Sequence, residues 1–178
     1  RAGVAADRID EVIKTQSSIE SPKNPVTVEN HKGIIKFNHV DFRYPAAKED
    51  VLSDIDFVVE PGKTTAIIGS TGCGKSTLVN LIPRFYDVTG GSIELDGHDI
   101  RDYSLEELRE LIGFVPQKGI LFSGTIASNL RFGKQDATDD EIARAAEIAQ
   151  AAEFIENKND RYDSSIAQGG ANVSGGQK

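Results

Sequence analysis

The sequence predicts an α/β fold, and three observations carry that prediction. Ile34–Phe42 and Ile55–Val59 are rich in β-branched and aromatic residues, Thr64–Ile68 is a short run without charge, and beyond Ser76 helical and extended stretches alternate. Ahead of this region, Val4, Ala5, Ile9, Val12 and Ile13 recur at helical spacing, with Asp7, Arg8, Asp10, Glu11 and Lys14 between them. That pattern predicts an amphipathic helix over 2–18 whose apolar face is too small for a core of its own. Ser21-Pro22-Lys23-Asn24-Pro25 ends it, because two prolines forbid continued helix. Residues 1–32 therefore read as a helix and linker, and 33–178 as the domain proper.

Within 33–178, Ile34–Phe42 and Ile55–Val59 are expected as strands, the second closed by a turn at Glu60-Pro61-Gly62-Lys63. Thr64–Ile68 is expected as a strand covered on both faces, since nothing charged interrupts it. Ser76–Phe85 reads as helix, Gly91–Leu95 as a strand with a turn at Asp96-Gly97, and Ser104–Leu111 as helix. Ser104 with Glu107, and Thr138 with Glu141, have the spacing of capping boxes, a hydroxyl at a helix start and a glutamate three residues on. The second box opens an alanine-rich helix toward Gln150. Gly113–Val115 is a further short strand, stopped by Pro116.

Composition narrows the function. At 178 residues and 38% hydrophobic, the chain has the length and apolar content of one globular domain. No apolar run approaches the roughly 18 residues of a membrane span. A single cysteine allows neither an internal disulfide nor a cysteine zinc site, which points to a reducing compartment. The net charge of −8 argues against nucleic acid as a partner, and His31, His39 and His98 lack metal-ligand spacing. No signal peptide is legible in the first twenty residues. A sequence starting at Arg1 with no methionine is expected to be an internal piece of something longer.

Chemistry concentrates at Gly69-Ser70-Thr71-Gly72-Cys73-Gly74-Lys75-Ser76, which fits G-x-x-x-x-G-K-[ST], directly after the Thr64–Ile68 run and directly before a helix. Glycines let the main chain curl and bring its N–H groups onto a phosphate chain. The helix start aims further N–H groups at the same phosphates. Lys75 adds a positive charge for the β/γ oxygens, Ser76 a hydroxyl suited to Mg²⁺, and Thr77 another donor. Cys73 sits among these groups, so its thiol is expected to react with alkylating agents and to be shielded by bound nucleotide. Asn157-Lys158-Asn159-Asp160 has the form of a guanine-reading N-K-x-D motif, but Glu153–Glu156 before it reads as helix where that motif needs a buried strand. It is taken as a polar loop.

Six further segments complete a pattern. They are Phe42-Arg43-Tyr44-Pro45; Leu81-Ile82-Pro83-Arg84-Phe85-Tyr86-Asp87; Gly91-Ser92-Ile93-Glu94-Leu95-Asp96-Gly97; Val115-Pro116-Gln117; Leu121-Phe122-Ser123-Gly124-Thr125-Ile126; and Val173-Ser174-Gly175-Gly176-Gln177. In this order around the P-loop, the chain resembles the nucleotide-binding domain of an ATP-binding cassette (ABC) transporter, of the exporter type fused to its membrane domain. The resemblance covers nearly all of 33–178. It implies a P-loop NTPase (RecA-like) core, an antiparallel β subdomain carrying Tyr44, and a helical subdomain from about Gln117. It also implies residues 1–32 as the last part of a membrane-domain helix with its linker.

The same resemblance implies ATP and Mg²⁺ as cofactors. Tyr44 would stack on adenine, Gly69–Thr77 would hold the phosphates, and Ser76 with Gln117 would serve Mg²⁺. Lys75 and Gln117 would be the groups nearest the chemistry. Ser174, Gly175, Gly176 and Gln177 would form the signature motif that closes on the ATP of a second nucleotide-binding domain, identical or different. Leu121–Ile126 would meet coupling helices of the membrane domain. The family's Walker B aspartate, catalytic glutamate, D-loop and switch histidine find no match among these 178 residues. Hydrolysis is therefore expected of the parent protein, at the cytoplasmic face of a membrane, with a fold incomplete at the C-terminus. The rival reading is a soluble cassette ATPase that remodels nucleic acid or ribosomes; a P-loop kinase would have to treat the signature motif as coincidence.

Overall fold

Strand β1 (Ile35–Phe42) sets the first sheet, pairing antiparallel with β2 (Leu52–Val59) on one side and β3 (Gly90–Leu95) on the other; β4 (His98–Asp99) adds to β3. The order is β2-β1-β3-β4, with Ile35 opposite both Val59 and Leu95. The computed structural model describes residues 8–10, 12–15 and 17–177, which divide into two units, Arg1–Phe114 and Val115–Lys178.

Phe37, Val40 and Phe42 are the buried side chains of β1, a spacing that strict alternation cannot give. A register shift between Phe37 and Val40 supplies the extra residue, with His39 at φ +44°, and this puts Val40 and Phe42 back on the covered face. Opposite the bulge, Gly91 has φ +69°, and any Cβ there would collide with the carbonyl oxygens of Asn38 and His39. Helix α1 (Lys75–Leu81) lays Leu78 and Leu81 on the core of this unit, beside Phe37, Phe42, Ile93 and Leu95. It is shorter than the sequence predicts, because Pro83 and Arg84, at φ +54°, turn the chain away.

The β3–β4 turn has positive φ at both Asp96 and Gly97, as two-residue hairpins require. The Asp96 carboxylate accepts hydrogen bonds from the backbone N–H groups of Lys32 (2.9 Å), Gly33 (3.3 Å) and Ile34 (2.9 Å). Part of the predicted linker is thereby docked: the Val26 N–H donates to the Asp102 carbonyl at 2.8 Å, and the Leu105 N–H donates to the Ser21 hydroxyl at 3.0 Å. Helix α2 (Leu105–Glu110) is capped by Ser104, which accepts from the Glu107 N–H at 3.1 Å. Of the leading helix, residues 8–10 and 12–14 are helical, with Ile9, Val12 and Ile13 exposed; Ala2–Asp7, Glu11 and Gln16 lie outside the described residues.

Two expected strands are corrected. Thr64–Ile68 joins no sheet among the described residues, and Ile68 is 91% exposed; Gly113–Val115 likewise pairs with nothing described, leaving Val115 92% exposed. A strand exists only through hydrogen bonds to a neighbour, and no described strand pairs with either segment.

The second unit builds α3 (Ile126–Leu130), α4 (Asp139–Ile148), α5 (Ala152–Glu156) and a ribbon of β5 (Gly124–Thr125) with β6 (Ser165–Ile166) around Ile126, Ala146, Ile155 and Ile166. Thr138 and Glu141 form the complete capping box that the sequence predicts for α4. Asn157–Asp160 follows α5 as a turn with no strand before it.

Candidate functional site

Backbone geometry makes the glycine-rich segment a curled loop. Gly72 and Gly74 both adopt positive φ (+85° and +89°), and a Cβ at Gly69 would fall 2.6 Å from the Cys73 sulfur across the loop. Gly74 is the N-cap of α1 and makes no side-chain cap, so the first amides of that helix, from Lys75, have no intrahelical or side-chain acceptor at the cap. The Lys75 ammonium spans the loop. It donates to the Gly69 carbonyl at 2.9 Å and the Ser70 carbonyl at 2.6 Å, and lies 3.5 Å from the Cys73 sulfur. Gly69–Cys73 and Ser76 are exposed, while Gly74 and Lys75 are half-buried. A bare curled backbone with one cation at its centre and exposed amides is what a chain of phosphate oxygens needs, and the adjacent Ser76 hydroxyl adds an oxygen donor of the kind Mg²⁺ takes.

Tyr44 lies two residues beyond β1 and reaches this loop. Its hydroxyl is 3.0 Å from the hydroxyl of Thr77, which is buried in the first turn of α1. The Tyr44 ring stands nearly perpendicular to Phe42 (4.9 Å, 81°) and to Tyr86 (5.2 Å, 89°). Phe42 and Tyr86 are themselves 5.6 Å apart, so the three rings form a closed triangle. A cleft of about 380 Å³ opens beside it, lined by Tyr44, Tyr86, Asp87 and Thr89 with Ser18 and Ile19, and none of Gly69–Thr77 borders it. The structure thus brings Tyr44, Thr77 and the phosphate-type loop together within the first unit.

The remaining expected residues belong to the second unit. Gln117 sits exposed in a bend after Pro116. Leu121–Ile126 is fastened by a residue that sequence reasoning passed over: the Asn129 side chain accepts from the Phe122 N–H (2.8 Å) and donates to the carbonyls of Phe122 and Thr125 (both 2.9 Å). Thr125 and Ser128 add a reciprocal cap at the start of α3. Ser174–Gln177 is exposed, with Gly175–Gln177 forming a single 3₁₀ turn. Gln177 Oε1 accepts from the Ser174 N–H at 3.0 Å, the glutamine half of a capping box. The S-x-x-Q spacing carried that signal. The nearness of Tyr86 to Tyr44, by contrast, has no local signature.

Comparison with known proteins follows the same lines. Residues 52–178 match the family model described as ABC transporter. An ABC transporter ATP-binding protein of Mycobacterium tuberculosis is 46% identical over 182 residues, which covers 100% of this chain and 31% of that protein. A Bacillus subtilis protein named for multidrug export, with ATP-binding and permease parts in its name, is 44% identical over 172 residues, 97% of this chain and 30% of its own. The solved structure of a bacterial Atm1-family ABC exporter with ATP bound superposes with a TM-score of 0.90 at 34% identity, over 98% of this chain and 30% of that one. The chain therefore spans about a third of the length of the relatives it matches.

Proposed function

The chain belongs to the ABC transporter family, and we propose that it is the ATP-binding domain of an exporter, binding Mg-ATP and, within the full-length protein, powering transport across a membrane from its cytoplasmic face. The observation that carries this reading is the Gly69–Ser76 loop with the Tyr44 hydroxyl 3.0 Å from Thr77 at its base. The fused membrane domain is supported by relatives named as ATP-binding/permease proteins, in Bacillus subtilis and in Staphylococcus aureus. Residues 1–32 would be its last helix and linker, and 33–178 the nucleotide-binding domain. The nucleic-acid rival finds no support in these relatives.

Each residue has a task in this reading. The amides from Gly69 to Thr77 bind the phosphates, and Lys75 exchanges the loop carbonyls it now holds for phosphate oxygens, a charge-assisted contact of greater strength. Ser76 would hold Mg²⁺, which would supply charge neutralisation at the phosphates when bound, and Gln117, exposed in the second unit, offers an amide oxygen of the kind that ion takes. Tyr44 stacks on the base, an interaction of about 1–3 kcal/mol that tolerates any ring. Ser174–Gln177 meets the ATP held by a second domain, identical or different. ATP contacted from both sides binds the paired state better than the open one, and that differential shifts the population toward closure.

The test is made in the full-length protein. Lys75→Ala abolishes ATP binding or turnover, and Tyr44→Ala weakens ATP more than inorganic triphosphate. Turnover unchanged by Lys75→Ala overturns the site, and an equal loss for both ligands in Tyr44→Ala removes the stacking role.

A further inference from the structure

We infer that Tyr86 is a positioning residue for base recognition, holding the Tyr44 ring in its receptive orientation. The inference rests on the stacking role proposed above for Tyr44. Tyr44 stands outside β1, in a turn where Ala47 N–H donates to the Tyr44 carbonyl at 3.0 Å and Ala46 has φ +64°, so the sheet does not fix its side chain. Three contacts do: the Thr77 hydroxyl at 3.0 Å, the Phe42 ring at 4.9 Å and the Tyr86 ring at 5.2 Å. Phe42 is fully buried on the sheet and cannot move without disturbing the core. The member of the triangle that can be replaced without cutting into the buried core is Tyr86, which is only partly buried.

The backbone around Tyr86 is stapled. Arg84 is buried and chelates Asp87 with two bonds, Nε to Oδ1 at 2.6 Å and a terminal nitrogen to Oδ2 at 3.1 Å, so the clip closes around residue 86. Arg109 donates to the carbonyls of Pro83 at 3.3 Å and Arg84 at 3.4 Å, and Arg84 reaches the Arg101 carbonyl at 3.5 Å. This corner leaves α1, the helix that starts at Lys75, so one rigid piece carries both the phosphate loop's end and the ring that orients the base's partner. Perpendicular aromatic contact fixes a ring's tilt as well as its position. A ring already oriented gives up less freedom when a base stacks on it, and the gain appears in affinity for ATP and not in affinity for its phosphates.

The test compares Tyr86→Leu, Tyr86→Phe and Tyr44→Ala in the full-length protein, reading KM and kcat for ATP and the affinity for inorganic triphosphate. Tyr86→Leu is expected to raise KM for ATP about 3–10-fold, the range of one aromatic pair, with kcat and triphosphate affinity held; Tyr86→Phe keeps the ring and restores KM. If Tyr44→Ala discriminates ATP from triphosphate but Tyr86→Leu leaves KM unchanged, the positioning role is refuted and stacking by Tyr44 stands. If Tyr86→Leu weakens ATP and triphosphate equally, the residue is structural only and the inference fails. If Tyr44→Ala itself weakens both equally, the stacking reading fails and takes this one with it.

Discussion

Gly74→Ala tests the loop at the point where it touches the sheet. Gly74 has φ +89°, and an added Cβ would lie 2.8 Å from Leu52 Cδ2, 3.2 Å from the Val51 carbonyl oxygen and 3.4 Å from Val51 Cγ1. The left-handed backbone alone costs an alanine roughly 1–2 kcal/mol. Leu52 is buried at the start of β2 and cannot swing away freely, so overpacking adds about 1–3 kcal/mol. Gly72 is the control: its φ is +85°, yet nothing stands within 4 Å of its would-be Cβ, so Gly72→Ala carries the backbone term alone. The difference between the two variants therefore isolates packing, and at about 2–4 °C per kcal/mol it corresponds to roughly 2–12 °C. Limited proteolysis of the nucleotide-free full-length protein against temperature reads the midpoint for each. Equal midpoints for Gly72→Ala and Gly74→Ala would refute the close approach of the loop to β2.

Other consequences follow from the hydrogen bonding. Asn129→Ala removes the partner of the Phe122 N–H, the Phe122 carbonyl and the Thr125 carbonyl; water replaces it at the exposed Phe122 groups, so the loss is about 0.5–1.5 kcal/mol, and amide exchange at Phe122 should accelerate by about two- to tenfold, while Leu108 in the first unit keeps its protection. Burial raises the Asp96 carboxyl, but the N–H groups of Ile34, Gly33 and Lys32, with His31, together hold it below the ordinary carboxylate value. Its folded value is depressed, so its stabilisation is present above the unfolded pKa and is lost as pH falls through the folded one; proteolysis across 21–34 should quicken on acidification in the parent and be fast at every pH in Asp96→Ala. Glu141 behaves likewise at the start of α4, held down to about 2 by Lys134 and by Thr138. Titration from pH 4.5 toward 2 should fray that helix, and Glu141→Gln should remove the transition from amide exchange at residues 139–142.

Local chemistry was legible from the residues in order. The P-loop, the Asp96-Gly97 turn and the Thr138–Glu141 box are all settled by groups within a few positions of one another, so spacing suffices to place them. Half of the Ser104 box formed as expected, the Ser104 hydroxyl accepting from the Glu107 N–H. Where the reading went astray, the deciding partner was distant. Thr64–Ile68 has the composition of a buried strand, yet a strand needs neighbouring main chains, and none of the described residues offers them. The Val40–Phe42 phase could not be counted from alternation because a bulge at His39 shifts it.

By itself, the sequence determined the family and the α/β class, and also the curl of the Gly69–Ser76 loop, since glycine backbone freedom acts within one turn of chain. Only the tertiary structure decided that Asp96 gathers the three amides of Lys32, Gly33 and Ile34 where the predicted linker meets the domain, that Asn129 fastens Phe122, and that Tyr44 meets Tyr86 and Thr77. The Asp96 and Tyr44 contacts join residues far apart along the chain and come into being when the sheet pairs and α1 packs upon it, while the Asn129 clamp closes within the second unit.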